Sequence, residues 1–381
     1  MTANLICFSH LRWNFVYQRP QHLLSRLART TRVFFFEEPL REDAASRNSI
    51  SIQQDGRLHV ITPQISCDTP DHDVPSVLRN LLDDAIRELN IGDYMLWYYS
   101  PMALSFSDHL KPELVVYDCM DELSAFKFAP PELRERERQL LQRADIVFTG
   151  GFTLYQAKKD KHHNIHPFPS SIDKQHFLSA RSIQEDPSDQ AEIPHPRLGF
   201  YGVVDERFDL DLLGNMADLR PQWHFVIIGP VVKIDPASLP QRNNIHYLGG
   251  KNYKDLPAYL AGWDIAIMPF AINESTRFIS PTKTPEYLCG GKPVISTRIT
   301  DVVNDYGNKN VVAIADTAEE FIARAEEFMS MAGSEEWLGR VDSVLNGNSW
   351  DITSEQMKNL IVKTHSIKRT NKKQLSDTNY V

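Results

Sequence analysis

The sequence predicts an α/β protein of two doubly wound, Rossmann-like domains facing each other across a cleft. Three observations carry that expectation. A chain of 381 residues is too long for one ordinary hydrophobic core. Short continuous apolar runs alternate with amphipathic helical segments, the pattern of parallel strands covered on both faces. This alternation breaks once, at 179–197, and then starts again.

NLICFSH (4–10) opens as a buried strand and ends on polar residues. RPQHLLSRLART then sets leucines at helical spacing, and RVFFFEEP (32–39) returns to a strand. Strand, helix and strand within about 35 residues make a βαβ unit, which demands a parallel sheet. The series continues through YMLWYYS (94–100), ELVVYDCMDE (113–122), a charged helix in PELRERERQLLQRA, and DIVFTGG (145–151). Residues 1–178 are thus the expected first domain. SARSIQEDPSDQAEIPHPR (179–197), rich in Ser, Asp, Gln and Pro, reads as an interdomain linker. A second series follows in RLGFYGVV, HFVIIGP, NIHYLGG, DIAIMPF, KPVIST and NVVAIA, which places the second domain at 198–348. SWDITSEQMKNLI carries a Ser or Asp cap and helical apolar spacing, predicting a helix over 349–365. The polar, lysine-rich remainder, 366–381, is expected to be disordered.

Composition narrows the function. Hydrophobic content of 42% and charged content of 24% are those of a soluble globular chain. A net charge of −9 argues against nucleic acid as a partner. Cys7, Cys67, Cys119 and Cys289 form no CxxC pair, and three of them sit in apolar runs, so reduced thiols in a cytoplasmic protein are expected. No segment approaches the roughly 18 apolar residues of a membrane span. No His/Cys/Asp cluster has ligand spacing, and no metal or other cofactor is expected. The absence of GxGxxG after the first strand and of GxxxxGK[ST] anywhere speaks against a dinucleotide dehydrogenase and a P-loop NTPase.

The most informative stretch is SPTKTPEYLCGGKPVIST (280–297). Its helix can start with Ser280 as cap and Pro281 at the first helical position, or with Thr284 as cap and Pro285 there. Either start leaves free backbone N–H groups facing the cleft, and Ser280, Pro281 and Thr282 are candidates for the binding side. A helix N-terminus beside Lys283 suits a diphosphate, and Glu286 suits a pair of vicinal hydroxyls. Gly290 and Gly291 then turn the chain back into the sheet.

That stretch, with GWDIAIMPF and PSSIDKQHF, resembles the GT-B glycosyltransferases of the group 1 type, and most closely the bacterial nucleotide-sugar-dependent enzymes that build surface polysaccharides. FSHLRWNFVYQRPQHLLSRLA resembles a signature of one bacterial subgroup, and the likeness spans roughly residues 4–365. The resemblance implies a nucleotide-sugar donor, with Glu286 on the ribose and Lys283 on phosphate. Gly202 and Arg207 in FYGVVDER, Tyr253 in KNYKDLPAYL, and Thr276 on the preceding loop join the expected donor side, with Tyr253 a candidate to stack on the base. Asp118 and Asp121, at the carboxyl end of a strand, are the catalytic candidates. His10, Arg12, Trp13 and Arg19 are the acceptor-side candidates, suited to a glycan or a lipid-linked diphosphate. The common retaining pattern has two glutamates with seven residues between them; Phe278 stands at the first position and Glu286 at the second. Retention is expected, with inversion through Asp118 or Asp121, or epimerisation of a nucleotide sugar, as the alternatives. The basic tail offers a contact to the inner membrane face.

Overall fold

The computed structural model describes residues 3–43, 48–331 and 334–378. Among them are two sheets. The first has nine strands. Eight follow the order Leu40–Glu42, Leu58–Ser66, Arg32–Phe36, Asn4–Phe8, Tyr94–Tyr98, Leu114–Cys119, Ile146–Thr149 and Ile165–Pro167, all parallel. The ninth, Ser49–Asp55, pairs antiparallel with Leu58–Ser66 across an Asp55-Gly56 turn. The second sheet has six parallel strands in the order Ile245–Gly249, His224–Ile228, Arg197–Tyr201, Ile265–Met268, Val294–Ser296 and Val312–Ile314.

Both sheets reverse strand order at their first strand, Asn4–Phe8 and Arg197–Tyr201. The loops leaving those strands therefore open into a crevice, where such sheets place their ligands. The central strands are buried end to end, as a sheet covered on both faces requires. Leu5, Cys7, Val33 and Phe35 face one side of the first sheet and Ile6, Phe8, Phe34 and Phe36 the other.

The region 179–197 is not a free linker. Gln190 is fully buried, donates to the Tyr259 carbonyl at 3.1 Å and accepts from the Trp263 indole at 2.9 Å. Arg197 pairs with Asp186 at 2.6 Å. Polar composition here satisfies buried partners on the second domain instead of water.

The C-terminal helix also departs from expectation. It runs from Trp350 to Thr378, so residues 366–378, expected to be disordered, are helical; 379–381 lie outside the described residues. Trp350, Met357 and Ile361 join the first domain's core, each burial worth about 1.5–3 kcal/mol. Beyond them His365 meets Glu113 and Lys368 meets Asp145, both at 2.7 Å. Lys368 of the tail thus finds a carboxylate on the first domain, a contact between distant positions that composition does not reveal.

A second tie crosses the domains. Asp301, 2% exposed, accepts from the backbone N–H groups of Phe152 and Thr153 at 3.0 Å each and from the Thr153 hydroxyl. A second-domain carboxylate thereby caps the first-domain helix Phe152–Lys158. A Cβ on Gly151 would lie 2.3 Å from the Asp301 carboxylate, so the second glycine of DIVFTGG gives this contact its room.

Candidate active site

A cleft of about 690 Å³ lies between the domains. Its second-domain wall is the short helix Lys283–Cys289 and the ends of the strands beside it; its first-domain wall is the loop 13–19 with Asp121 and Gly150.

The helix starts at neither expected cap. Thr282 precedes it in helical conformation, and Pro285 falls inside the first turn. The first helical N–H groups have no intrahelical acceptor, so a proline there forfeits no bond. Lys283 and Glu286 both line the cleft. Lys283 has no ion-pair or hydrogen-bond partner among the described residues. Its ammonium lies 5.5 Å from the Phe200 ring centre and 6.0 Å from that of Phe270. Burial, then the nearby Arg207 guanidinium, lowers its pKa to about 8. Glu286 is 5% exposed, and its Oε2 accepts from the Tyr201 hydroxyl at 2.9 Å. Burial pushes its pKa up to about 8, against the pull of Tyr201 and Lys283. A lysine short of an anion and a carboxylate short of donors, one turn apart, form an unfinished ion site.

Gly202 has a φ of +147°, and a Cβ there would lie 2.0 Å from Lys283 Cε and 2.6 Å from its ammonium. The glycine therefore serves the lysine's path. Gly202→Ala is expected to cost about 1–3 kcal/mol in backbone strain and to weaken nucleoside diphosphate binding by displacing Lys283. Thermal unfolding with and without UDP measures both effects.

Other expected donor residues separate. Ser280, Pro281 and Thr282 line the cleft, and the Ser280 carbonyl accepts from the Ser170 hydroxyl at 2.6 Å. Arg207 lines it too, but its guanidinium is shared with Asp205, at 2.6 Å, and with the Phe126 ring across the cleft at 5.2 Å. Lys233, which the sequence reading missed, lies 5.1 Å from the same ring. Thr276 does not reach the cleft: it is buried, and its hydroxyl closes its own loop on the Ala271 carbonyl at 2.6 Å. Tyr253 lines the cleft but cannot stack on a base, because the rings of Tyr17 (4.5 Å) and His176 (4.7 Å) already stack against it. Phe278 packs toward the first domain's core instead of facing the donor wall.

On the first-domain side the two aspartates part. Asp118 is fully buried and held by Arg19, through Nε at 3.0–3.1 Å and Nη2 at 2.8 Å; Arg19 also donates to the Phe168 carbonyl. This corrects the expectation for Asp118, which does not face the cleft; Arg19 lines the cleft as expected, but its charge is already matched by Asp118. Asp121, three residues on, lines the cleft, and its carboxylate has no hydrogen-bond or ion-pair partner among the described residues. Burial raises its pKa to about 6, opposed by Arg207, Arg19 and Lys233 and reinforced by Asp205. Trp13 lines the cleft. Arg12 does not: it is tied to Glu37 at 3.0 Å and to the Glu38 and Pro39 carbonyls. His10 is also set back from the cleft wall, and burial and Lys233 lower its pKa to about 4, so it is a neutral ring. The loop's aromatic content was the signal for the acceptor side; which residues turn inward depends on Glu37, whose other oxygen accepts from the Trp13 N–H at 2.7 Å.

Residues 195–331 match the family described as Glycosyl transferases group 1. Over 300 residues the chain is 24% identical to the Bacillus subtilis (strain 168) protein named "Putative teichuronic acid biosynthesis glycosyltransferase TuaH", covering 74% of this chain and 75% of that protein. Among solved structures, the sucrose-phosphate synthase of Thermosynechococcus elongatus superposes with a TM-score of 0.68 at 13% identity, covering 96% of this chain and 100% of the other. An E. coli trehalose-6-phosphate structure bound with UDP-2-fluoro glucose gives 0.66 at 12%, covering 94% and 98%.

Proposed function

We propose that this chain, a glycosyltransferase of the GT-B fold, moves a sugar from a nucleotide-sugar donor to a hydroxyl of a glycan or lipid-linked acceptor in bacterial cell-surface polysaccharide synthesis. One observation carries the donor half: Lys283, without an anion, and Glu286, with one oxygen unbonded, face the same cleft from one short helix. Lys283 and Arg207 would neutralise the diphosphate as it leaves, and Glu286 would accept from the ribose hydroxyls. The acceptor hydroxyl would approach from the first-domain wall, between Trp13 and Asp121.

Lys283→Ala and Glu286→Ala are each expected to weaken UDP binding by about 10- to 100-fold, or about 1.4–2.8 kcal/mol. Calorimetric titration measures this, and unchanged affinity in both variants would sink the donor assignment. A panel of nucleotide sugars screened by ligand-induced thermal shift identifies the donor.

The anomeric outcome has two readings. Retention, which the resemblance implies, relies on stabilising the leaving group with Lys283 and Arg207. Inversion is supported by the unpaired Asp121 carboxylate on the cleft wall, which would take the acceptor proton. The product's anomeric configuration, read by NMR, separates them.

A further inference from the structure

We infer that Tyr201 is a positioning residue for donor binding: its hydroxyl fixes one oxygen of Glu286 so that the other faces the ribose. The inference rests on the donor reading above.

Tyr201 ends the first strand of the second sheet, and its ring is held on several sides. It packs edge-on to Tyr287 at 4.7 Å, against Trp263 at 5.8 Å and parallel to Phe177 at 6.2 Å. Its backbone is also pinned, because its N–H donates to the Tyr287 hydroxyl at 2.9 Å and its carbonyl accepts from that hydroxyl at 3.2 Å. The phenol is therefore a fixed donor, and it points at Glu286 Oε2. Glu286 Oε1 has no hydrogen-bond partner among the described residues, while the residue lines the cleft. One oxygen is committed to the protein and the other is left for a ligand.

A hydrogen bond from a neutral donor favours the charged form of a carboxyl. Other groups face Glu286 as well. Lys283 on its own helix favours the charge, and Asp173, at the start of the helix Lys174–Leu178, opposes it. The Tyr253 and Tyr287 phenols and the Cys289 thiol stay neutral, each raised by burial. Glu286 must be charged to accept from two hydroxyls, so binding weakens as pH falls through its pKa. Without Tyr201's hydrogen bond that pKa rises, and the weakening begins at higher pH.

The test is calorimetric titration of UDP from pH 6 to 9 on the wild type, Tyr201→Phe, Tyr287→Phe and Glu286→Gln, with thermal unfolding of each unliganded protein. Phe keeps the ring packing at both tyrosines. Tyr201→Phe is expected to bind UDP about tenfold more weakly at pH 7, with its acid limb moved upward. Tyr287→Phe, which keeps the Tyr201 phenol but loosens its backbone, should move that limb less than Tyr201→Phe does, and Glu286→Gln should have no limb. Against 2′,3′-dideoxyuridine diphosphate, which lacks the hydroxyls, Tyr201→Phe and wild type should bind alike. A Tyr201→Phe limb identical to wild type, or a pH-independent loss that follows reduced stability, overturns the positioning role. Wild-type affinity and limb in Glu286→Gln would instead overturn the donor site itself.

Discussion

Asp121→Asn is expected to lower glycosyl transfer by about 10²- to 10⁴-fold without weakening UDP binding. The carboxylate lines the cleft on the wall opposite Lys283 and has no partner among the described residues, so its charge is available to an acceptor hydroxyl. Asparagine keeps the shape and removes the proton acceptor. Burial places the Asp121 pKa at about 6, above the ordinary carboxylate value of 3.8. The base form is therefore lost as pH falls through about 6, and wild-type turnover should fall with it. The variant should show its low rate without that acid limb. Initial rates across pH, with donor saturating, decide the matter; a variant as active as wild type would leave Asp121 outside the chemistry.

Asp118→Ala is expected to act on stability instead, costing about 3–5 kcal/mol. Its carboxylate is 0% exposed and matched to the Arg19 guanidinium, itself 4% exposed. Truncating it leaves a buried cation alone, whereas replacing both partners by apolar residues of similar volume, as in Arg19→Met with Asp118→Leu, should recover much of the loss. Denaturant unfolding measures both variants. An Asp118→Ala protein of wild-type stability but without activity would return Asp118 to the catalytic set.

Much of the fold could be read along the chain. Apolar runs and helical segments such as NLICF, RVFFF and HFVII become strands or helices where expected, because continuous apolar runs have few ways to be buried other than in a covered sheet. The outer part of the first sheet, Leu40–Glu42 and Ser49–Ser66, went unread. Its strands are partly exposed and lack a continuous apolar run, and only the Asp55-Gly56 turn announces them. The terminal helix was read to 365 and extends to Thr378, since its far turns are held by Glu113 and Asp145 from distant sequence.

The site divides in the same way. Lys283, Glu286, Gly202 and Asp121 were legible as cleft positions, because charge or a glycine beside a strand end marks a position where ligands gather, and Trp13 was legible from the aromatic content of its loop. Thr276, Arg12 and His10 look equally eligible in sequence but are turned away from the cleft or bonded to their own loops. Tyr201 stands beside Gly202 in FYGVVDER, yet an uncharged residue at the end of an apolar strand reads as core and gave no sign of its contact with Glu286.

By itself, the sequence determined two Rossmann-like sheets, a cleft between them and a Lys/Glu helix at its mouth, because burial pattern and helix chemistry are local properties. Only the tertiary structure decided which of two aspartates three residues apart meets the cleft. Asp118 is the next-to-last residue of its strand and points into the layer where Arg19 arrives from 99 positions away; Asp121 lies past the strand end, where the sheet stops and the cleft begins. Partners so far apart in sequence are set by the packing of the layers, and that packing separates a core ion pair from a carboxylate on the cleft wall.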